Sequence, residues 1–223
     1  TLAALDAHPN VEVRLFNPFP NRSLRLLGYL TDFSRLNRRM HNKSFTADGV
    51  ATILGGRNVG DEYFAAGAEF EFIDLDVVAI GAAVREVQRS FEDYWTSASA
   101  HPAARLLAAA SAADVAAFAA GGQAAMRSAA AQGYLASVRE TRLVQRMLQG
   151  GLEWQWGEAR LVVDDPRKGL GRARRRDFLM SSLEHVLGPV RHELVLVSPY
   201  FVPLRTGVGA LSAMTARGVR VEV

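Results

Sequence analysis

Residues 41–58 read His41-Asn-Lys43-Ser-Phe-Thr-Ala-Asp48-Gly49-Val-Ala-Thr-Ile-Leu-Gly55-Gly56-Arg57-Asn58, and their alternation and spacing decide both the fold class and the site. Side chains alternate between the faces of a strand, so an extended stretch over 41–46 projects His41 and Lys43 from one face toward one substrate group. Asp48-Gly49 is a favoured two-residue hairpin turn, and the β-branched run Val50–Leu54 suits the returning strand. Gly55 and Gly56 end that strand without side chains, which lets backbone N–H groups approach an anion, and Asn58 adds an amide donor. The stretch reads as a hairpin carrying a phosphate site, within a chain whose interleaved strands and helices predict an α/β fold.

The residue types set the chemistry. A neutral imidazole is a competent nucleophile toward phosphorus near neutral pH, and an ammonium such as Lys43 stabilises charge on the non-bridging oxygens. An imidazole that presents one nitrogen to phosphorus needs an acceptor on the other to fix its tautomer. Two carboxylates in Glu71-Phe-Ile-Asp74-Leu-Asp76-Val-Val are candidates, and their i, i+2 spacing puts both on one face of a strand. The bland alternative for either is a solvated carboxylate on an edge strand. Asp48, in turn, reads locally as a turn aspartate that caps its own backbone.

His41, Lys43, Asp48, Gly55 and Asn58 fit H-x-K-x4-D-x6-G-x2-N, and the chain thereby resembles the phospholipase D superfamily. Five fixed positions at average residue frequencies match by chance in a chain this long with a likelihood of roughly 10⁻⁴. Further segments narrow the resemblance: Asn17-Pro-Phe19, Arg38-Arg39-Met40-His41-Asn42-Lys43, Gly56 to Phe64, Asp74-Leu-Asp76-Val and Ser198-Pro199-Tyr200-Phe201-Val202-Pro203 look like bacterial cardiolipin synthases of the C type. That family implies a phospholipase D-like fold, a mixed β-sheet flanked by helices, normally a pseudo-twofold pair of such domains. It implies a covalent phosphohistidine on His41, with Lys43 and Asp48 as catalytic partners, Asp48 orienting Lys43 or its neighbours, and Gly56 and Asn58 on the phosphate. By the same analogy Asp74 orients the histidine, with Asp76 behind it. The implied reaction moves a phosphatidyl group from one phospholipid to the head-group hydroxyl of phosphatidylglycerol, releasing ethanolamine or glycerol. No metal and no organic cofactor is expected. Anionic phospholipids, chiefly phosphatidylglycerol, and phosphatidylethanolamine are the expected partners, at the bacterial cell membrane by peripheral contact and without nucleic acid.

The chain departs from that family in one respect. Two such motifs normally face each other, one histidine attacking while the other protonates the leaving alcohol. Here His8, His101, His185 and His192 are none of them followed by x-Lys. The chain also starts at Thr1 and stops within Gly218–Val223, which reads as a strand, so an internal fragment is expected, its second motif coming from a missing C-terminal region or a homodimer partner. Leu2–Val13 and Leu211–Val221 each read as a short helix feeding an alternating strand, an echo of duplication. The expected division is residues 1–98 as the C-terminal part of a first domain, 99–150 as a helical connector broken at Gly121-Gly122, and 151–223 as the start of a second domain. Within the last part Glu193–Val197 reads as a buried strand and Asp177–Leu187 as a helix.

Composition is compatible with this picture without producing it. The 223 residues are 49% hydrophobic, enough for a sizeable core, and the absence of cysteine excludes disulfides and thiolate metal sites. A net charge of +3 does not separate lipid head groups from nucleic acid. Arg167, Lys168, Arg172, Arg174, Arg175 and Arg176 cluster before the Asp177 helix, and Arg35, Arg38 and Arg39 precede the motif; either group suits anionic lipid, or a salt-bridged surface. The alanine-rich stretch 102–120 carries Arg105, Ser111 and Asp114 and is a poor membrane span. Trp95, Trp154 and Trp156 read as packing residues. A phosphodiester hydrolase, acting on lipid or nucleic acid, and a non-catalytic fragment are the competing readings.

Overall fold

The computed structural model describes residues 1–19, 38–60, 74–188, 190–198 and 201–223. Arg35, residues 61–73, Pro199 and Tyr200, singled out above, lie outside them.

Asp48 and Gly49 adopt φ of 52° and 66°. This left-handed backbone suits glycine and is tolerated by aspartate, and the turn closes with Val50 N–H donating to Ala47 C=O at 2.9 Å. It folds β2 (Ser44–Ala47) back on β3 (Ala51–Gly55), with Ser44 opposite Leu54 and Ala47 opposite Ala51. The hairpin is as expected, but Val50 belongs to the turn, so the loop is one residue longer. β4 (Asp76–Ile80) pairs antiparallel along the other side of β3, Gly55 lying opposite Asp76. Two expectations change here. Residues 41–43 approach β2 as irregular chain, and Asp74 precedes β4, so the two carboxylates do not share a strand face.

Gly81, at φ 76°, turns the chain into α2 (Ala82–Trp95), which packs across all three strands. Its apolar stripe Val84, Val87 and Tyr94 is buried, Val84 with only 1% of its surface exposed. Thr52, equally buried, exchanges a 2.9 Å hydroxyl hydrogen bond with Thr46 across the hairpin. β1 (Arg14–Phe16) pairs antiparallel with β5 (Ala100–Pro102), and α1 (Leu2–Asp6) packs on the 3-10 turn Ala103–Arg105, burying Ala4 and Ala103. Residues 100–105 therefore pack with the N-terminal part, beyond the expected boundary at residue 98.

The alanine-rich region forms α3 (Ala112–Arg127), α4 (Ala129–Glu140) and α5 (Arg142–Leu148), with no buried residue in any of them. α3 runs straight through Gly121-Gly122, contrary to the expected break. Glycine costs a helix only about 1 kcal/mol per residue against alanine, which flanking alanines outweigh. The breaks come instead at Ser128 and Thr141, whose extended backbones and side-chain oxygens cap the next helix through Ala131 N–H and Val144 N–H. Ser111 and Asp114 form a full capping box at the start of α3. Among the described residues, no helix is long and apolar enough to cross a membrane.

Two 3-10 turns, Pro166–Leu170 and Arg175–Asp177, lead into α6 (Leu179–Leu187), close to the expected helix. β6 (Glu193–Val195), α7 (Leu204–Ala216) and β7 (Arg220–Glu222) form a parallel β-α-β unit around a cluster of Leu194, Met214 and Val219. Only Leu194 of β6 is buried, so this strand is one-sided rather than the fully buried strand expected. A helix leads to a strand in both places, but the expected strand residues 11–13 are irregular chain before β1, and β1 pairs antiparallel where β7 pairs parallel. Trp95 packs under Arg14 at 4.6 Å, whereas Trp156 is 79% exposed and no packing residue.

The architecture is mixed α/β in small sheets, and the sheet that carries the site is held by the apolar stripe buried under α2. Val84→Ala is expected to destabilise the protein by roughly 2 kcal/mol, two methyl groups plus a cavity, measured by denaturant unfolding of both proteins.

Candidate functional site

His41 and Lys43 stand at the open end of the β2–β3 hairpin. Asn17 prepares the approach: its backbone, at φ 49°, donates to Ser99 C=O at 2.7 Å, and its side-chain amide donates to Arg38 C=O at 2.8 Å. The chain between Arg38 and β2 is thus tied to the end of β1 before it reaches His41. Lys43 Nζ lies 2.8 Å from His41 Nδ1 and donates to His41 C=O at 2.7 Å. An ammonium has no acceptor capacity, so His41 Nδ1 must offer its lone pair, and the imidazole proton sits on Nε2. Lys43 has to leave Nδ1, or the proton has to move, before the ring presents a free lone pair.

Neither Asp74 nor Asp76 bonds to His41, which corrects the expected orienting role. Asp76 Oδ2 accepts from Arg57 Nε at 2.7 Å, and Arg57 Nη2 donates to Asp74 C=O at 3.3 Å. Asp74 Oδ1 accepts from Leu75 N–H at 2.8 Å, while its Oδ2 is buried with no hydrogen-bond partner among the described residues. The charge of Asp74 acts on Lys43 instead. Burial pulls the Lys43 ammonium below its ordinary 10.5, and Asp74 pushes it partly back.

The glycines serve these carboxylates. A Cβ on Gly56 would lie 2.2 Å from Asp74 Oδ2, and one on Gly55 would lie 2.0 Å from Asp76 Oδ1. The space opened by the missing side chains is filled by the protein's own acids, so the expected open cradle for an external anion is taken on this face. Asp48 is also displaced from its expected role. It sits exposed at the turn, five residues beyond Lys43 and so about 16 Å along an extended chain, too far to orient it.

His41, Lys43, Asn58 and Asp76 share the rim of one cleft of about 1040 Å³, whose walls include Phe45, Ile53, Val87, Phe91 and Leu161. Gly56, Asp74 and Asp48 are not among its lining residues. Tyr94 was missed by sequence reasoning. Its hydroxyl donates to Asp164 C=O at 2.8 Å, bonds with the Asn42 side chain, and its ring packs 5.3 Å from Phe16. Burial, then the nearby Asp164, pushes its phenol above the usual range. The signal available for Tyr94 was its place on the apolar stripe of α2; nothing local announces Asp164 as its partner. Within the basic cluster Arg167 pairs with Asp165 at 2.6 Å, Lys168 with Asp164, and Arg176 with Asp177 at 3.7 Å.

Over an alignment of 231 positions the chain is 45% identical to cardiolipin synthase C of Escherichia coli K12, covering all of this chain and 47% of that protein. This chain is a relative of the bacterial cardiolipin synthases. It spans about half the length of that curated relative. Shorter matches run to an uncharacterised protein of Helicobacter pylori J99, 44% identical over 93 residues (41% of this chain, 18% of that protein). The major cardiolipin synthase of Bacillus subtilis is 40% identical over 68 residues (30% of this chain, 14% of that protein). No protein-family profile matches the chain. No solved structure matches it either.

The position of Lys43 yields a pH prediction. A folded-state value below 10.5 means that the charged lysine costs stability below that value, and the cost is relieved as pH rises from there to 10.5. Lys43 should titrate below 10.5 by NMR, and Asp74→Asn should lower its midpoint further by removing the attracting charge. Gly56→Ala should lower it as well, because the new Cβ displaces the Asp74 carboxylate; an unchanged midpoint in both variants would disprove the link.

Proposed function

We propose that this chain carries the first histidine half-site of a phospholipase D-type phosphatidyltransferase that makes cardiolipin. The reading rests on one observation above the rest: an exposed histidine in contact with a partly desolvated lysine at the rim of a large apolar cleft. Whole-length similarity to a cardiolipin synthase supports it. The proposed fold is phospholipase D-like, with residues 1–105 and 151–223 as parts of two such domains and the α3–α5 region between them.

His41 attacks the phosphorus of a phospholipid in this scheme. The bond from phosphorus to the leaving head-group oxygen breaks, that oxygen takes a proton, and a phosphoramidate bond forms to the imidazole. The head-group hydroxyl of phosphatidylglycerol then attacks phosphorus, gives up its proton, and the bond to nitrogen breaks. Lys43 moves from His41 Nδ1 to the non-bridging oxygens, which both frees the ring lone pair and stabilises the developing charge. Asn58, on the same rim, adds an amide donor, and Gly56 acts at the phosphate only through its hold on Asp74. The phosphatidyl chains lie along Phe45, Ile53 and Phe91, where anionic phospholipids meet the protein from the membrane surface by peripheral contact. A second histidine, from a second domain or a second copy, protonates the leaving alcohol.

The competing chemistry is hydrolysis, in which water takes the place of the acceptor lipid. In vesicles of phosphatidylglycerol and phosphatidylethanolamine, the whole protein should form cardiolipin and release a soluble head group. His41→Ala should cut that release by at least about 10³-fold and abolish phosphorus label trapped on the protein, while unfolding at the same midpoint. Phosphatidic acid formed without cardiolipin would replace the transferase reading with the hydrolase.

A further inference from the structure

His41 lines two cavities of different character. One is the apolar cleft already described. The other, of about 240 Å³, shares Met40, His41 and Asn42 with it and is lined also by Arg38, Tyr94, Asp164 and Lys168. Its volume corresponds to about eight waters at ~30 Å³ each. That suits an alcohol of a few carbons and is too small for an acyl chain.

The polar groups of this cavity are arranged to meet hydroxyls. Asp164 accepts from Leu179 N–H through Oδ1 at 2.8 Å and from Lys168 Nζ through Oδ2, which leaves a lone pair on each oxygen. Lys168 is 43% exposed and has two further N–H donors after its bond to Asp164. A carboxylate and an ammonium side by side bind a vicinal diol by accepting from one hydroxyl and donating to its neighbour. The pair is held in place from both ends. The Asp164 backbone is fixed by the Tyr94 hydroxyl, and Lys168 lies over the Phe178 ring at 5.3 Å.

We propose that the small cavity is the head-group subsite, taking the glycerol-type polyol of a phospholipid on the Asp164–Lys168 pair while the apolar cleft takes the acyl side. Phosphorus then falls between the two cavities, where His41 stands. The proposal rests on the phosphatidyltransferase reading and assigns the substrate end that reading leaves open. It also gives the contact between residues 94 and 164 a purpose, because Tyr94 joins the polyol subsite to Asn42, the neighbour of His41.

The test measures binding in the absence of turnover. In His41→Ala protein, calorimetric titration with glycerophosphoglycerol, the deacylated head group of phosphatidylglycerol, should show saturable binding. Inorganic phosphate at equal concentration should not displace it. Lys168→Met should weaken that binding about tenfold, the loss of one charge-assisted contact at about 1.4 kcal/mol. Asp164→Asn should do the same while keeping an acceptor for Leu179 N–H, so a matching loss in both variants excludes simple misfolding. Undiminished affinity in both variants, no binding, or displacement by phosphate alone would overturn the subsite. Failure of the underlying reading shows separately, as absence of His41-dependent phosphatidyl transfer by wild-type protein with this binding intact.

Discussion

The register of β3 between β2 and β4 sets every distance at the site. Ser44 opposite Leu54 places Lys43 beside the end of β3, and Gly55 opposite Asp76 brings the second acid to the same end. A slip of one residue would turn Thr52 away from α2, because strand side chains alternate with a period of two. The turn at Asp48-Gly49, the Thr46–Thr52 hydroxyl pair and the packing of Val84 and Val87 all resist that slip. Asp48 thereby serves the site from a distance, through hairpin geometry rather than contact with Lys43.

Charge is apportioned within this frame. Arg57 neutralises Asp76, so that carboxylate holds the Gly55–Arg57 loop against β4 instead of orienting His41. Asp74 keeps one buried oxygen without a partner among the described residues, close to a lysine that burial has made less basic. A buried acceptor without a bond is costly, and the nearby ammonium offsets part of that cost through the field between them. Lys43 is drawn three ways, toward His41, toward Asp74 and, in the proposed reaction, toward phosphate. A compact ammonium on a flexible stem suits such a shared role better than a rigid guanidinium fork.

The two cavities give this small charged centre its context. The apolar cleft runs along the sheet and α2, and the smaller cavity opens toward residues 162–169, so His41 stands where an amphipathic molecule would change character. Tyr94 belongs to both linings and ties the strap at Asp164 to the residue next to His41. Phe45, 69% exposed, leaves the apolar side open to a further protein surface or to lipid.

The sequence alone determined what depends on neighbours along the chain. The hairpin at Asp48-Gly49 and the β-branched return through Ile53 follow from backbone preference and spacing over a few residues. Local reasoning failed where a choice depended on something distant. The helix crossed Gly121-Gly122 because alanines on both sides outweigh two glycines, and Ser128 and Thr141, ordinary residues in the sequence, cap the next helices. Asp74 and Asp76 look interchangeable in a run, but only the fold shows that Arg57 claims one and leaves the other beside Lys43. Likewise, Tyr94 and Asp164 are 70 residues apart, and no periodicity or propensity links them. Their contact exists because α2 lies across the sheet and carries the tyrosine to the strap, a decision made by long-range packing and so written nowhere in the local sequence.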